Sequence, residues 1–270
     1  MQAFFCGANR PRRYIQQVKV LPLVVGYVAL SFVAYGQEQV TPMSDGQAAP
    51  GVGESGMVFP SAAARAAAEL KAEERQRIFG VVPDFNTSNV YNAAPLSAPQ
   101  KFQLALKGEV DPFAFVAAGL YAGLSQWKKE TSEYGYGARG YAKRFGAAYL
   151  DAFDGAMIGD AALPALLHQD PRYFRLGTGP FAVRLIHALS AAYRCKNDNG
   201  RWTWNYSNLL GNLAAGAIAN AYYPASDRGA APTFERALTV TGEGAAGAVF
   251  FEFWPDISRK FVSHKKKVRG

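Results

Sequence analysis

Cysteine is nearly absent from this chain: Cys6 and Cys195 are the two among 270 residues. That excludes a disulfide framework and a cysteine-based metal cluster. Histidine is as scarce, at three, and none stands in a Glu-x-x-His or His-x-x-x-His spacing. No metal site and no cofactor is therefore implied. There is no Gly-x-Ser-x-Gly elbow. The letters of a dinucleotide fingerprint occur at Gly242-Glu243-Gly244-Ala245-Ala246-Gly247, but no strand precedes them.

Acidic residues are missing from both ends. Residues 1–36 hold four cations (Arg10, Arg12, Arg13, Lys19) and no acid, and residues 259–270 hold six cations and no acid. The stretch between, 37–258, has 19 cations against 21 acids. The net charge of +8 thus belongs to the ends. A nucleic-acid surface would place cations on the folded body, so nucleic acid is not expected as a partner.

At the N-terminus the basic stretch leads into Val20–Tyr35, 16 apolar residues without charge. That is shorter than the ~20 residues of a spanning helix. Ala34-Tyr35-Gly36 then offers small residues at the −3 and −1 positions of a cleavage site. The pattern predicts a secretory signal peptide over 1–36, with an uncleaved anchor as the alternative. Residues 37–60 are rich in Gln, Gly, Ala, Pro and Ser, which predicts a disordered linker.

What the chain has in abundance is small residues: 46 alanines and 27 glycines. From residue 61 to 265 the signals are those of one all-α domain, a compact bundle of about six to eight Ala/Gly-rich helices, followed by a basic tail at 266–270. Ser61 caps a helix over 62–78. Ser97 and Gln100 form a capping box for a short helix ending at Gly108. Asp111-Pro112 starts a helix to about Lys129. A long helix is expected over 141–169, kinked or broken near Pro164. Further helices are expected at 180–194, 206–223, 232–253 and 256–265, the last two parted by Pro255. Residues 81–96 read as extended and irregular. Asn199-Gly200 marks at most one small hairpin, within 195–205.

Small residues also recur at helical spacing. Ala148, Ala152, Gly155, Gly159 and Ala162 form one expected stripe, and Gly211, Ala215 and Ala219 another. Glycine costs a helix ~1 kcal/mol against alanine, so close helix–helix approach is the expected return. Asp151, Asp154 and Asp160 argue against the long helix spanning a membrane.

Two groups of residues could carry chemistry. The first is His168, Asp170, Arg172 and Tyr173 at a helix break, within Leu166-Leu167-His168-Gln169-Asp170-Pro171-Arg172-Tyr173-Phe174-Arg175-Leu176-Gly177. His168 could act as a general base, and Arg172 and Arg175 could clamp a phosphate or carboxylate. The structural alternative has Asp170 capping a following helix while His168 and the arginines close the preceding one. The second group is Asp151 and Asp154, one turn apart on one face, either as a paired-acid site or in a salt bridge to Arg144, Arg172 or Arg184.

From Tyr136 to Ile257 the chain resembles an uncharacterised family of exported bacterial all-α proteins. Gly140-Tyr141-Ala142-Lys143-Arg144-Phe145-Gly146-Ala147-Ala148-Tyr149, Leu167 to Phe174, Asn220-Ala221-Tyr222-Tyr223-Pro224 and Phe253-Trp254-Pro255-Asp256-Ile257 carry the likeness. The resemblance implies export and a shared helical domain, and no established activity. The leading expectation is an exported, non-catalytic cell-envelope protein whose partner is a membrane surface or another envelope protein. The alternatives are an exported hydrolase of phospho- or lipid substrates, using the two groups above, and a soluble small-ligand binding module.

Overall fold

The computed structural model describes residues 61–267, with side chains through Arg259. The expected signal peptide, the linker and the side chains of the basic tail lie outside the described residues. The architecture is mostly helical, with small two-stranded sheets.

Helix α1, Ala62–Glu73, starts where Ser61 Oγ accepts the Ala64 N–H at 3.2 Å. It ends five residues short of the expected 78. The chain turns through left-handed Phe79 and Gly80, pairing β1 (Arg77–Ile78) antiparallel with β2 (Val82–Pro83). β3 (Thr87–Ser88) follows. Helix α2, Ala98–Glu109, begins with the Ser97 N–H donating to Gln100 Oε1 at 2.9 Å. Helix α3, Pro112–Trp127, is capped by Asp111, which accepts the Phe113 N–H at 2.9 Å. Both start signals act as the sequence predicts.

The expected long helix has three parts: α4 (Gly137–Gly155), a π-helical segment (Ala156–Ala162) and α5 (Leu163–Leu166). Pro164 has no N–H for the Asp160 carbonyl, and its ring collides with that carbonyl in α geometry. The helix widens instead of breaking. This resets its faces. Gly140, Arg144 and Ala147 are buried in α4, then Gly159 and Ala161, whereas Ala152 and Ala162 of the expected stripe are exposed. Already within α4 the buried line runs through Arg144 and Ala147 and not through Ala148 and Ala152, and the π segment then changes the period.

β4 (Tyr173–Phe174) pairs parallel with β3, so the segment 81–96, extended and irregular as expected, contributes two residues to a sheet there. Helix α6 is Phe181–Ser190. The hairpin β5 (Arg194–Lys196) and β6 (Trp202–Trp204) forms as expected, with Gly200 left-handed in its turn. It is thus one of three strand pairs among the described residues. Helix α7, Tyr206–Ile218, precedes α8, Ala230–Lys267, which continues through Pro255. Pro255 leaves the Phe251 carbonyl without its N–H partner. At the next carbonyl, Glu252, Arg175 and Arg184 both donate, at 3.1 and 2.7 Å. The two expected helices are therefore one.

α7 seats against the π segment and α8 by backbone approach. A Cβ on Gly211 would lie 2.5 Å from Gly159 Cα, and one on Gly216 would lie 2.8 Å from the Thr233 carbonyl oxygen. Asn212 and Asn220 donate across the α7–α8 seam to Thr241 and Thr233 at 2.9 and 2.8 Å.

The helices are inverted relative to an ordinary globular core. A compact apolar cluster, Leu70, Phe85, Leu96 and Leu104, exists between α1 and α2. Elsewhere small and polar groups point inward: Ala118, Ala122 and Ser125 on α3, Arg184, Ala188 and Ser190 on α6, and Ser207, Gly211, Asn212, Ala215 and Gly216 on α7. Outward stand Val116, Leu120 and Trp127 on α3, Phe181, Val183, Ile186 and Leu189 on α6, and Leu209, Leu210 and Ile218 on α7. No helix among the described residues is long and apolar enough to cross a membrane.

Two glycine substitutions test the close approach. Gly211→Ala forces backbone apart and is expected to cost ~1–3 kcal/mol. Gly155→Ala meets open space in helical geometry and is expected to gain ~0.5–1 kcal/mol. Urea denaturation followed by circular dichroism measures both.

Candidate functional site

The motif at 166–177 begins as a helix stop. The Leu167 N–H reaches the Leu163 carbonyl at 2.8 Å and the Gln169 N–H reaches the Pro164 carbonyl at 2.9 Å. His168 between them is left-handed, at φ 53°. This is a helix C-terminal motif in which glycine or asparagine is usual. The His168 side chain is 82% exposed, with Nδ1 3.5 Å from Asp198 Oδ2. Asp198 belongs mainly to Lys101, whose side chain is 1% exposed and whose Nζ donates to both its oxygens at 2.7 and 2.9 Å. Lys101 also donates to the Pro164 carbonyl at 3.2 Å. It thereby ties α2 to the end of α5 and to the hairpin turn.

The next residues run inward. Gln169 Nε2 donates to the Trp204 carbonyl at 2.6 Å, and its Oε1 accepts from Ser207 Oγ at 2.6 Å and Ser207 N at 2.9 Å. Asp170 does not cap a following helix. Its Oδ1 accepts the Arg172 N–H at 3.1 Å, and the chain continues into β4. The Arg172 guanidinium is fully buried between two carboxylates, with Nη2 2.8 Å from Asp170 Oδ2 and Nη1 3.1 Å from Glu73 Oε1. Nη2 also donates to the Ala94 carbonyl at 2.7 Å. Desolvation alone would lower the pKa of Arg172, but the two acids outweigh it and hold the charge on. The arginines therefore do not close the preceding helix, because the acids take Arg172 and Glu252 takes Arg175.

Tyr173 belongs to another centre. Its hydroxyl donates to Glu252 Oε2 at 2.7 Å. Glu252 is fully buried on α8 and also accepts from Leu176 N at 3.1 Å, Gly177 N at 3.0 Å and Arg184 Nε at 2.7 Å. Burial pushes this carboxyl up, but the converging donors win and hold it below the ordinary range. Arg184 Nη1 pairs further with Asp256 at 2.5 Å.

Asp151 and Asp154 lie elsewhere again. Asp151 accepts from Tyr222 and Tyr223 hydroxyls, both at 2.6 Å, and Tyr222 also reaches Asp154 at 3.4 Å. Burial raises the Asp151 pKa despite these donors. The expected salt bridge to Arg144 does not form. Arg144 donates instead to the carbonyls of Glu130, Thr131, Gly135 and Gly140, holding the loop before α4. Arg172 and Arg184 are taken by the acids named above.

The six residues singled out in the sequence thus sit in four places: His168 at the surface beside Asp198, Asp170 with Arg172 and Glu73, Tyr173 with Glu252 and Arg184, and Asp151 with Asp154 under two tyrosines. Sequence reading missed Glu73, Lys101, Tyr222 and Glu252 as partners. Glu252 alone had a local signal, as the one acid inside Phe250-Phe251-Glu252-Phe253-Trp254. Cys195 is buried, and burial pushes its thiol up to about 12, the state of an inert thiol. Around it lies a cavity of about 70 Å³ lined by Arg172, Tyr173, His187 and Trp202, room for a few waters. No group of three or more His, Cys, Asp or Glu side chains among the described residues could hold a metal ion. Compared with protein families, curated proteins and solved structures, the chain matches none.

The buried charges generate two predictions. Arg172→Met strands two buried acids and is expected to cost ~3–5 kcal/mol, whereas Glu73→Gln leaves one acid on the arginine and should cost less than half of that. Chemical denaturation of both variants measures the difference. The second concerns pH. Burial raises Asp84 to about 7, and burial with repulsion from Glu109 raises Asp160 to about 7. Raised carboxyls favour the fold below the ordinary value near 3.8 and lose that contribution as pH climbs through 7. Glu252, Asp111 and Asp256 are lowered and lose theirs as pH falls below about 4. The melting temperature should therefore peak between these windows and decline from pH 5 to 8. Asp160→Asn should flatten that decline, by roughly 2–4 °C per kcal/mol regained. A calorimetric pH series that shows no difference between Asp160→Asn and wild type above pH 6 contradicts the assignment.

Proposed function

We propose that this chain is a non-catalytic protein of the cell envelope that acts by contact, presenting apolar helix faces to an apolar partner surface. The observation that carries this reading is the inversion of α3, α6 and α7. Ile186 is 65% exposed, Phe181 67% and Trp127 77%, while the same helices bury alanine, glycine, asparagine and arginine. Scattered exposed apolar residues are ordinary, but helix faces built from them mark sites of association. Removing one Val, Ile or Leu of this kind from water contributes roughly 1.5–3 kcal/mol, so a face of three is a substantial drive to bind.

Export is supported by sequence alone: the basic stretch, the 16-residue apolar run and the small residues at 34 and 36. No observation favours the hydrolase or small-ligand readings over this one. The polar atoms of Asp170, Arg172 and Tyr173 are taken up in bonds that join elements. The cavity beside Cys195 is small.

Cell fractionation tests the reading. The chain is expected in the membrane pellet, retained through a high-salt wash and released by carbonate, as befits apolar contact without a spanning helix. Quantitative recovery in the soluble fraction before any wash contradicts it.

A further inference from the structure

We propose that the outer face of α6, with the aromatic edge of the β5–β6 hairpin, docks onto an anionic lipid bilayer surface; this rests on the contact reading above and names its partner. The orientation of α6 is fixed from inside. Arg184 binds Glu252 and Asp256, and its ring-facing contact with Phe253, 4.6 Å from guanidinium carbon to ring centroid, holds the helix on α8. With Arg184 and Ala188 inward and the Phe181 ring 4.8 Å from that of Phe253 on α8, Val183, Ile186 and Leu189 face away. A helix of 10 residues is about 15 Å long, half the thickness of a hydrocarbon core. It can lie in the interface plane but cannot cross.

The edge of this face has the composition of a headgroup belt. Tyr193, Trp204 and Tyr206 are exposed beside one another, the Tyr193 and Trp204 rings 6.1 Å apart, and the Asn205 N–H bonds the Tyr193 carbonyl. Amphipathic rings of this type settle at the membrane–water boundary. Charge complements it. Of the five cations in residues 171–197, Arg172, Arg184 and Lys196 are buried and Arg175 is half-buried, which leaves Arg194 at the surface. Exposed Arg194 and Arg201 flank the hairpin. The acids nearest in sequence or packing have cationic partners: Glu252 has Arg184, Asp256 has Arg184 and Arg259, Asp170 has Arg172, and Asp198 has Lys101. A second copy of the chain would set one cationic edge against another, whereas an anionic headgroup layer complements both the edge and the apolar centre.

Co-sedimentation of the full chain tests this with vesicles of phosphatidylcholine alone and of phosphatidylcholine mixed with phosphatidylglycerol. Wild type is expected to bind the mixed vesicles, at least tenfold more weakly without phosphatidylglycerol, a difference of about 1.4 kcal/mol. Ile186→Glu should lose binding at least tenfold with an unchanged melting curve. Leu120→Glu on α3, also exposed, should bind as wild type. Binding that Leu120→Glu loses and Ile186→Glu keeps overturns the α6 face but leaves the contact reading standing. Failure to bind either vesicle, with a dimer that Ile186→Glu dissociates, overturns lipid as the partner. A monomer that binds no vesicle and is also recovered in the soluble cell fraction removes both.

Discussion

A carboxylate that stays ionised without access to water needs a full set of donors, and Glu252 is such a group. It sits in the aromatic turn of α8 with four donors on its two oxygens, from α6, from the Tyr173 hydroxyl of β4 and from two backbone N–H groups just after that strand. Removing any one partner would leave part of a buried charge unmatched, which typically costs several kcal/mol. That penalty sets the geometry around it. It holds β4 in line, so that β3 can pair with it, and it holds α6 with Arg184 inward. The outward position of Val183, Ile186 and Leu189 is then a consequence of polar pairing, not of a hydrophobic preference. The apolar exterior and the charged interior are one fact.

The same logic extends to the other side of the bundle. Arg172 joins α1, the segment before α2 and β4 through Glu73, the Ala94 carbonyl and Asp170. Lys101 joins α2, α5 and the hairpin turn. Alanine and glycine between these centres add little apolar area of their own. They let backbones approach, as at Gly159 and Gly211, so that dispersion contacts replace large side chains. The π segment is the joint of this arrangement. Pro164 forces it, and it turns Gly159 toward α7 while leaving the Asp160 carboxyl in a desolvated position.

The local chemistry of the chain was legible in its sequence, and the long-range chemistry was not. Ser97 with Gln100, Asp111 with Pro112, and Asn199 with Gly200 each act over two to four residues, and each does what its type and spacing predict. Asp170 has the same letters as Asp111 but a different fate, because a buried arginine and the β3 pairing outcompete a helix cap there. The partner that decides this, Glu73, is 99 residues away from Arg172. Tyr222 and Tyr223 stand 71 and 72 residues from Asp151. No periodicity reports such pairs. The Ala/Gly seams did signal close helix packing, yet on α4 the buried line falls one residue off the expected stripe, at Ala147 instead of Ala148, before the π segment changes the period. Pattern reading also assumes that the apolar side of a helix faces inward, and α3, α6 and α7 reverse that assumption.

Inversion of this kind is ordinary for helices in lipid, where small residues form the seams and polar groups pair across them. Here it occurs on helices of 10 to 16 residues, none of which is long and apolar enough to span. A body with such faces has two ways to satisfy them: by depth, which the lengths deny, or by lying along an apolar boundary. The second requires that one side remain polar and wet. On the segment that follows α6, Tyr193, Arg194, Arg201 and Trp204 stand exposed, while Arg184, the charge on α6 itself, is turned inward and paired with Glu252 and Asp256. An arginine placed outward at position 184 would abolish the face. The buried acids of α8 that hold Arg184 inward thereby determine the surface as well as the core.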